Sequence, residues 1–152
     1  MSTDKEVTKD LLKTLEDGKN GFAKGAEKLD ETNSPELAKS FRRFSEQRAG
    51  FEKELQQLAK EYGDSVHESG TVVAALHRGW MSLKDAVSGS DPKGVLGAAE
   101  QGEDHAVKQY EDALKTDVST GLRTVLERQC TAVRAAHNEV RAMRDSYQPM
   151  SH

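Results

Sequence analysis

An all-α bundle of four long helices, with an additional short helix in the crossover connection, is the fold that the sequence predicts. In four long segments, apolar residues recur at alternating steps of three and four, and no strand pattern occurs. Proline, glycine, asparagine and aspartate cluster between these segments. Charged residues make up 32% of the chain and hydrophobic residues 35%, which fits long solvated helices better than a thick globular core.

The first helix is predicted from about Asp4 to Asp30. Gly18, Gly21 and Gly25 weaken it as an isolated helix, because each glycine costs up to ~1 kcal/mol relative to alanine. Small residues at this spacing let a neighbouring helix approach closely, so we expect tertiary packing to hold the helix. Its apolar face comprises Leu11, Leu15, Phe22, Ala26 and Leu29.

Breaks in the pattern place the second and third helices. Ser34 is a favourable N-cap with Pro35 at the first helical position, and the second helix then runs to about Tyr62, where Gly63 ends it. A shorter third helix is predicted over about 69–87. Its apolar face comprises Val72, Val73, Leu76, Trp80, Leu83 and Val87.

The fourth and fifth helices form the second half of the bundle. Asp91 is the predicted N-cap of the fourth helix, which runs to about Lys115, and residues 116–119 connect it to the fifth, which ends near Tyr147. Short turns make the first and second helices antiparallel neighbours, and likewise the fourth and fifth. Two hairpins joined by one long crossover are the arrangement of ferritin-like folds. We expect one domain over 1–152, ordered from about 4 to 147.

Three helical seams are interrupted by a polar residue near the middle. Arg48 interrupts the second helix, Glu103 the fourth and Gln129 the fifth. Seam positions face the core, where a charge costs several kcal/mol unless it is paired. We therefore predict a buried salt bridge between Arg48 and Glu103, with Gln129 and Tyr110 completing the hydrogen bonds. The alternative is a different seam register that leaves some of these residues at the surface.

Three stretches of the chain carry a family resemblance. They are Leu76-His77-Arg78-Gly79-Trp80-Met81-Ser82-Leu83-Lys84, Ala99-Glu100-Gln101-Gly102-Glu103-Asp104 with Tyr110, and Ala135-Ala136-His137-Asn138-Glu139-Val140-Arg141. Together they resemble a bacterial family of ferritin-like bundles of unknown function, and the resemblance covers nearly the whole chain. It implies a ferritin-like fold and superfamily, without a defined activity.

A metal centre is the competing interpretation of the polar residues. A ferritin-like di-iron centre takes a carboxylate from each of two helices and a Glu-x-x-His pair from each of the other two, but this chain contains no Glu-x-x-His. We therefore expect no cofactor. The alternative is an atypical iron or manganese site that uses Glu100, Glu103 and His137. For His137 itself, a hydrogen-bonded histidine at the edge of the apolar face is the simpler interpretation.

The third helix offers a further candidate. His77, Arg78 and Trp80 could form a surface recognition patch. The simpler interpretation, which we favour, is that Trp80 packs this helix onto the bundle, since a large aromatic side chain contributes strongly to packing.

Composition and motifs argue against several other functions. The net charge is −4 with interspersed signs, which gives no basic stripe for nucleic acid. Cys130, the one cysteine, excludes an internal disulfide and is expected to be a small packed residue. The N-terminus lacks signal-peptide character and no apolar run reaches the length of a membrane span, so we expect a cytoplasmic protein without membrane contact.

The sequence thus favours a non-enzymatic bundle that works through its surface or assembly in a stress-related or regulatory role. We expect it to form a homo-oligomer, with a dimer favoured. The alternative function is a ferritin-like metal-binding protein or oxidoreductase with an atypical site around Glu103 and His137.

Overall fold

Four α-helices form the part of the chain that the computed structural model describes, residues 2–61 and 92–146. Helix α1 is Ser2–Glu31, α2 is Pro35–Glu61, α3 is Pro92–Leu114 and α4 is Thr120–Ser146. These two ranges contain no strand. The predicted all-α, four-helix architecture is confirmed, with α3 and α4 corresponding to the predicted fourth and fifth helices. The predicted short helix that contains Trp80 lies outside the described residues.

The helices are arranged so that α1 packs on α2 and α3, while α4 packs on α3 and α2. Contacts at both ends show that neighbouring helices are antiparallel. Asp4 at the start of α1 bonds Ser119 just before α4, whereas Gly25 near the end of α1 lies beside Val95 near the start of α3. Helix α2 therefore ends at one end of the bundle and α3 begins at the other.

The core follows the apolar stripes that the sequence predicts. In each helix the buried residues recur at helical spacing on one face, because only one stripe of an amphipathic helix can face its neighbours. The α1 stripe is entirely buried. The largest buried apolar side chains are Leu11, Leu15, Phe22, Leu29, Phe41, Leu55, Leu96, Tyr110 and Leu122.

The turn between α1 and α2 has the hydrogen bonds of a Schellman motif. Asn33 adopts a left-handed backbone conformation with φ of 61°, which asparagine tolerates better than most residues. The Ser34 amide donates to the Leu29 carbonyl at 2.8 Å, and the Asn33 amide donates to the Asp30 carbonyl at 3.1 Å. Pro35 then begins α2, as the sequence predicts.

At the opposite end, polar side chains tie the start of α1 to the turn between α3 and α4. Asp4, although 2% exposed, accepts a hydrogen bond from the Ser119 backbone amide at 2.9 Å. Arg123 donates to the carbonyls of Leu114 at 2.7 Å and Thr116 at 2.8 Å. A cation at the C-terminal carbonyls of α3 also complements the negative end of the helix dipole.

Two of the three α1 glycines lie in close contact with side chains of α2. A Cβ atom added at Gly25 would lie 2.8 Å from Cδ2 of Phe41, and one added at Gly18 would lie 3.3 Å from Nη1 of Arg48. The Phe41 ring is itself packed edge-on against Phe22, with ring centroids 5.1 Å apart. The expectation that small residues admit a neighbouring helix is therefore confirmed at these two positions.

We predict that Gly25→Ala destabilises the fold by about 1–3 kcal/mol, because the added methyl overpacks a rigid aromatic ring. Gly50→Ala is the matched control, since Gly50 is also helical and nothing lies within 4 Å of its added Cβ. The control should be stabilised by up to about 1 kcal/mol through helix propensity. Urea unfolding measures both changes, and equal stabilisation by the two substitutions would contradict the close approach.

Candidate functional site at the centre of the bundle

A buried ion pair crosses the centre of the bundle from α2 to α3. Arg48 Nη1 donates to Glu103 Oε1 and Nη2 donates to Oε2, each at 2.6 Å. The side chains are 1% and 0% exposed. The two parallel hydrogen bonds match the planar guanidinium to the carboxylate, which is the strongest geometry available to such a pair. The predicted buried salt bridge is confirmed.

The surroundings of Arg48 come from its own helix and from α1. Its Nε donates to the side chain of Gln47 at 3.2 Å, so each guanidinium nitrogen has an acceptor. The guanidinium carbon lies 5.3 Å from the centroid of the Phe22 ring, within the range of a cation–π interaction. Burial disfavours the charged guanidinium, but the Glu103 carboxylate outweighs this effect and raises the pKa of Arg48.

Gln129 and Tyr110 form a second buried polar group, which corrects one part of the sequence prediction. The Tyr110 hydroxyl donates to Gln129 Oε1 at 2.7 Å, and Gln129 Nε2 donates to Glu54 Oε1 at 2.8 Å. Glu54 also pairs with Arg128 near the surface. These hydrogen bonds join Tyr110 and Gln129 to each other and to α2, rather than to the central ion pair. Burial raises the pKa of the Tyr110 hydroxyl.

The alternative metal ligands each have a partner of their own. Glu103 is bonded through both oxygens to Arg48. Glu100 pairs with Arg144 and, at 3.3 Å, with Arg141, both on α4. Among the described residues, no group of three or more histidine, cysteine, aspartate or glutamate side chains is placed to hold a metal ion.

His137, the third of these alternative ligands, lies at the interface of α3 and α4. Its Nε2 lies 2.5 Å from Oδ1 of Asp104, and its Nδ1 lies 3.3 Å from Oδ1 of Asn138. The imidazole side chain is 12% exposed. The hydrogen-bond contact of the ring is therefore the one at Nδ1, because Nε2, although close to Asp104, makes no hydrogen bond of regular geometry.

The sequence interpretation missed a third polar group, which joins α1 to α2. Glu52, which is 8% exposed as a whole residue, lies one helical turn after Arg48. Lys19 Nζ lies 3.0 Å from Glu16 Oε2 and 3.1 Å from Glu52 Oε1. The available signal was the i, i+4 spacing of Arg48 and Glu52, which places both residues on one face of α2.

A cavity of about 130 Å³ lies between α1 and α3, and its lining includes the carboxyl-bearing residues Asp10 and Asp112 and the apolar residues Val7 and Leu11. Cys130 is buried, as predicted, and burial raises the pKa of its thiol. The cavity lining includes none of the residues of the central ion pair.

The proposed surface patch of His77, Arg78 and Trp80 falls outside the described residues. None of the described helices combines the length and apolar character needed to cross a membrane.

Comparison with known families places the chain. The family model described as "Domain of unknown function (DUF2383)" matches residues 5–116. The chain belongs to this family. The matched region contains Arg48, Glu103 and Tyr110, and it ends before α4 and Gln129. No curated protein matches the chain significantly.

We predict that the central pair is strongly coupled. Glu103→Gln should cost about 3–5 kcal/mol, because it leaves the buried Arg48 charge without a counter-ion. The double variant Arg48→Met with Glu103→Leu should cost much less than the sum of the two single changes. Urea unfolding of the native chain, both single variants and the double variant gives the coupling energy.

The exposed pair Arg134 and Glu111, whose nitrogen and oxygen lie 2.6 Å apart, is the matched control for this cycle. Its side chains are 50% and 46% exposed, so its coupling should not exceed about 1 kcal/mol. If the losses of unfolding free energy from the single changes at Arg48 and Glu103 simply added in the double variant, the predicted coupling of the buried pair would be contradicted.

Proposed function

We propose that this DUF2383 chain is a ferritin-like bundle that acts as a non-enzymatic interaction or assembly module. In this proposal an ion pair replaces the di-iron ligand set at the centre of the bundle. The observation that carries the proposal is the Arg48–Glu103 pair, in which a fixed positive charge lies near the middle of the core.

The helix arrangement supports the ferritin-like part of the proposal. Two antiparallel hairpins, α1–α2 and α3–α4, are arranged so that α2 ends at one end of the bundle and α3 begins at the other, and we infer one long crossover between them. One long crossover of this kind characterises ferritin-like bundles among four-helix folds. The residues Ala99–Asp104 and Ala135–Arg141, on which the sequence resemblance rests, face each other across the α3–α4 interface through Glu100, Asp104, His137 and Arg141.

Charge supports the non-metal part of the proposal. A metal ion at Glu103 would have to replace two charge-assisted hydrogen bonds from Arg48 and would then lie close to the displaced guanidinium. Repulsion between two buried positive charges is severe where water cannot screen it. A metal at Glu100 would likewise compete with Arg141 and Arg144.

With the core occupied in this way, we assign the function to the surface and to assembly. We propose a homodimer in a stress-related or regulatory setting in the cytoplasm. The stress link rests on analogy with the ferritin-like superfamily alone, and a fold does not by itself determine a function. The alternative is an iron- or manganese-binding protein with an atypical site at Glu103 and His137.

We predict less than one equivalent of iron or manganese per chain in protein that is purified without chelator after growth with both metals. Elemental analysis measures the ratio, because the Arg48 charge should exclude a cation from the centre. Glu103→Gln and His137→Gln serve as paired variants, with Glu46→Gln as a control at an exposed position on α2. Stoichiometric metal that is lost in the first two variants and kept in the control would establish the alternative function.

We predict that the chain is a dimer at micromolar concentration. Light scattering should report about twice the chain mass of 16.7 kDa. A single 16.7 kDa species across this concentration range would refute the dimer and leave the module to act as a monomer.

A further inference from the structure

Glu16, Lys19 and Glu52 bring two carboxylates and one ammonium group together between α1 and α2. Glu16 and Lys19 lie on α1, and Glu52 reaches Lys19 from α2. The Glu52 side chain is 11% exposed, compared with 26% for Glu16 and 32% for Lys19. The most buried member of the group is therefore a carboxylate that shares its cation with a second carboxylate.

The arrangement is held by contacts around it. Ser45, on α2, donates a hydrogen bond to the Lys19 carbonyl at 2.9 Å, about two turns before Glu52. Gly18, next to Lys19, lies against the Arg48 side chain. The carboxylates thus lie where α1 packs on α2, beside the central ion pair.

The charges of this group do not balance when every carboxylate is ionised. Arg48 and Glu103 neutralise each other. Lys19 can neutralise one of its two carboxylates, and the other stays uncompensated when both are ionised. A single proton shared between Glu16 and Glu52 balances the set with two cations and two anions. Such sharing is the usual solution when two carboxylates occupy one partly buried site.

We propose that Glu16, Lys19 and Glu52 form a proton-sharing clamp that makes the α1–α2 packing sensitive to pH below and near neutrality. When the proton is bound, Glu52 is neutral and the ammonium pairs with Glu16. When the proton leaves, two carboxylates compete for Lys19 at a buried helix interface, and the interface weakens.

The electrostatics of each member agree with this proposal. Burial, together with the neighbouring Glu16, raises the pKa of Glu52 to about 7. Hydrogen bonding with Glu52 and Lys19 lowers the pKa of Glu16, while hydrogen bonding with Glu16 raises the pKa of Lys19. Among residues 2–61 and 92–146, Glu16 and Lys19 of α1 are the charged groups that act on Glu52. On its own helix, Arg48 lies one turn away and is paired with Glu103.

The sign of the effect follows from the Glu52 pKa, which is higher in the folded chain than its ordinary value of 4.5. The folded state binds more protons between pH 4.5 and about 7, so the free energy of unfolding falls as pH rises through this window. Above about pH 7 the contribution of Glu52 to the free energy of unfolding no longer changes with pH. The pKa of Glu16 is lowered, so its effect on the free energy of unfolding has the opposite sign. Its contribution to stability is lost as pH falls, in the window below 4.5.

Carboxyl-carbon NMR of the full chain with labelled glutamate tests the clamp, and Glu52→Gln assigns the resonance. We expect a midpoint near 7 for Glu52. Glu16→Gln should lower this midpoint by removing the like charge, and Lys19→Met should raise it by removing the cation. Glu46→Gln, an exposed change on α2, should leave it unchanged.

Unfolding in urea between pH 4.5 and 8 gives a second measurement on the same variants. Glu52→Gln should remove the downward slope between pH 4.5 and 7 that the native chain shows, whereas Glu46→Gln should keep it. A Glu52 midpoint near 4.5, or one that is the same in the Glu16 and Lys19 variants, would overturn the proposal. So would a slope that survives Glu52→Gln.

Discussion

Burial of the Arg48 charge is the constraint on which the rest of the bundle depends. A guanidinium that is 1% exposed requires an anion in bidentate geometry, and Glu103 can supply it only when α2 and α3 have one axial alignment. It also requires space on α1, where the added Cβ at Gly18 would lie 3.3 Å from Nη1. Replacing a buried ion pair by apolar residues of similar volume is often neutral or stabilising in proteins, so we infer that the pair fixes alignment more than it adds stability.

The four helices are held together by different means on different sides of the bundle. Between α1 and α2, Gly25 lies against the Phe41 ring, and Lys19 pairs with Glu52 across the same interface. Ion pairs such as Arg43–Glu139 and Arg134–Glu111 join α4 to its neighbours, but their side chains are about half exposed. Exposed pairs contribute no more than about 1 kcal/mol each. The attachment of α4 therefore rests mainly on its buried stripe, which includes Leu122, Leu126 and Val133.

The same physics explains how much could be predicted from the sequence. Helical periodicity assigns a face to each residue, so the helix limits and the burial of Arg48, Glu103 and Gln129 followed directly. Periodicity does not assign partners. Gln129 bonds Glu54 because side-chain direction and helix spacing place that acceptor within reach, and neither quantity can be read from one helix alone. Glu52 was missed because a charged residue in a charge-rich helix is normally solvated, and its burial depends on how closely α1 approaches.

Carboxylates of the described helices are paired with cations, which contrasts with the ligand arrangement of a di-iron bundle. In a di-iron bundle, carboxylates converge without competing cations, so that their combined negative charge favours the metal. Here Glu103, Glu100 and Glu54 are each bonded to an arginine, and the arginines come from neighbouring helices or from the diagonally opposite one. These pairs provide the cross-links between helices that shared metal ligands would otherwise provide. Arginine is well suited to pair with these carboxylates because its charge persists at all physiological pH values. Glu16 and Glu52 instead share a single lysine, and we therefore expect pH to act on the bundle at this pair.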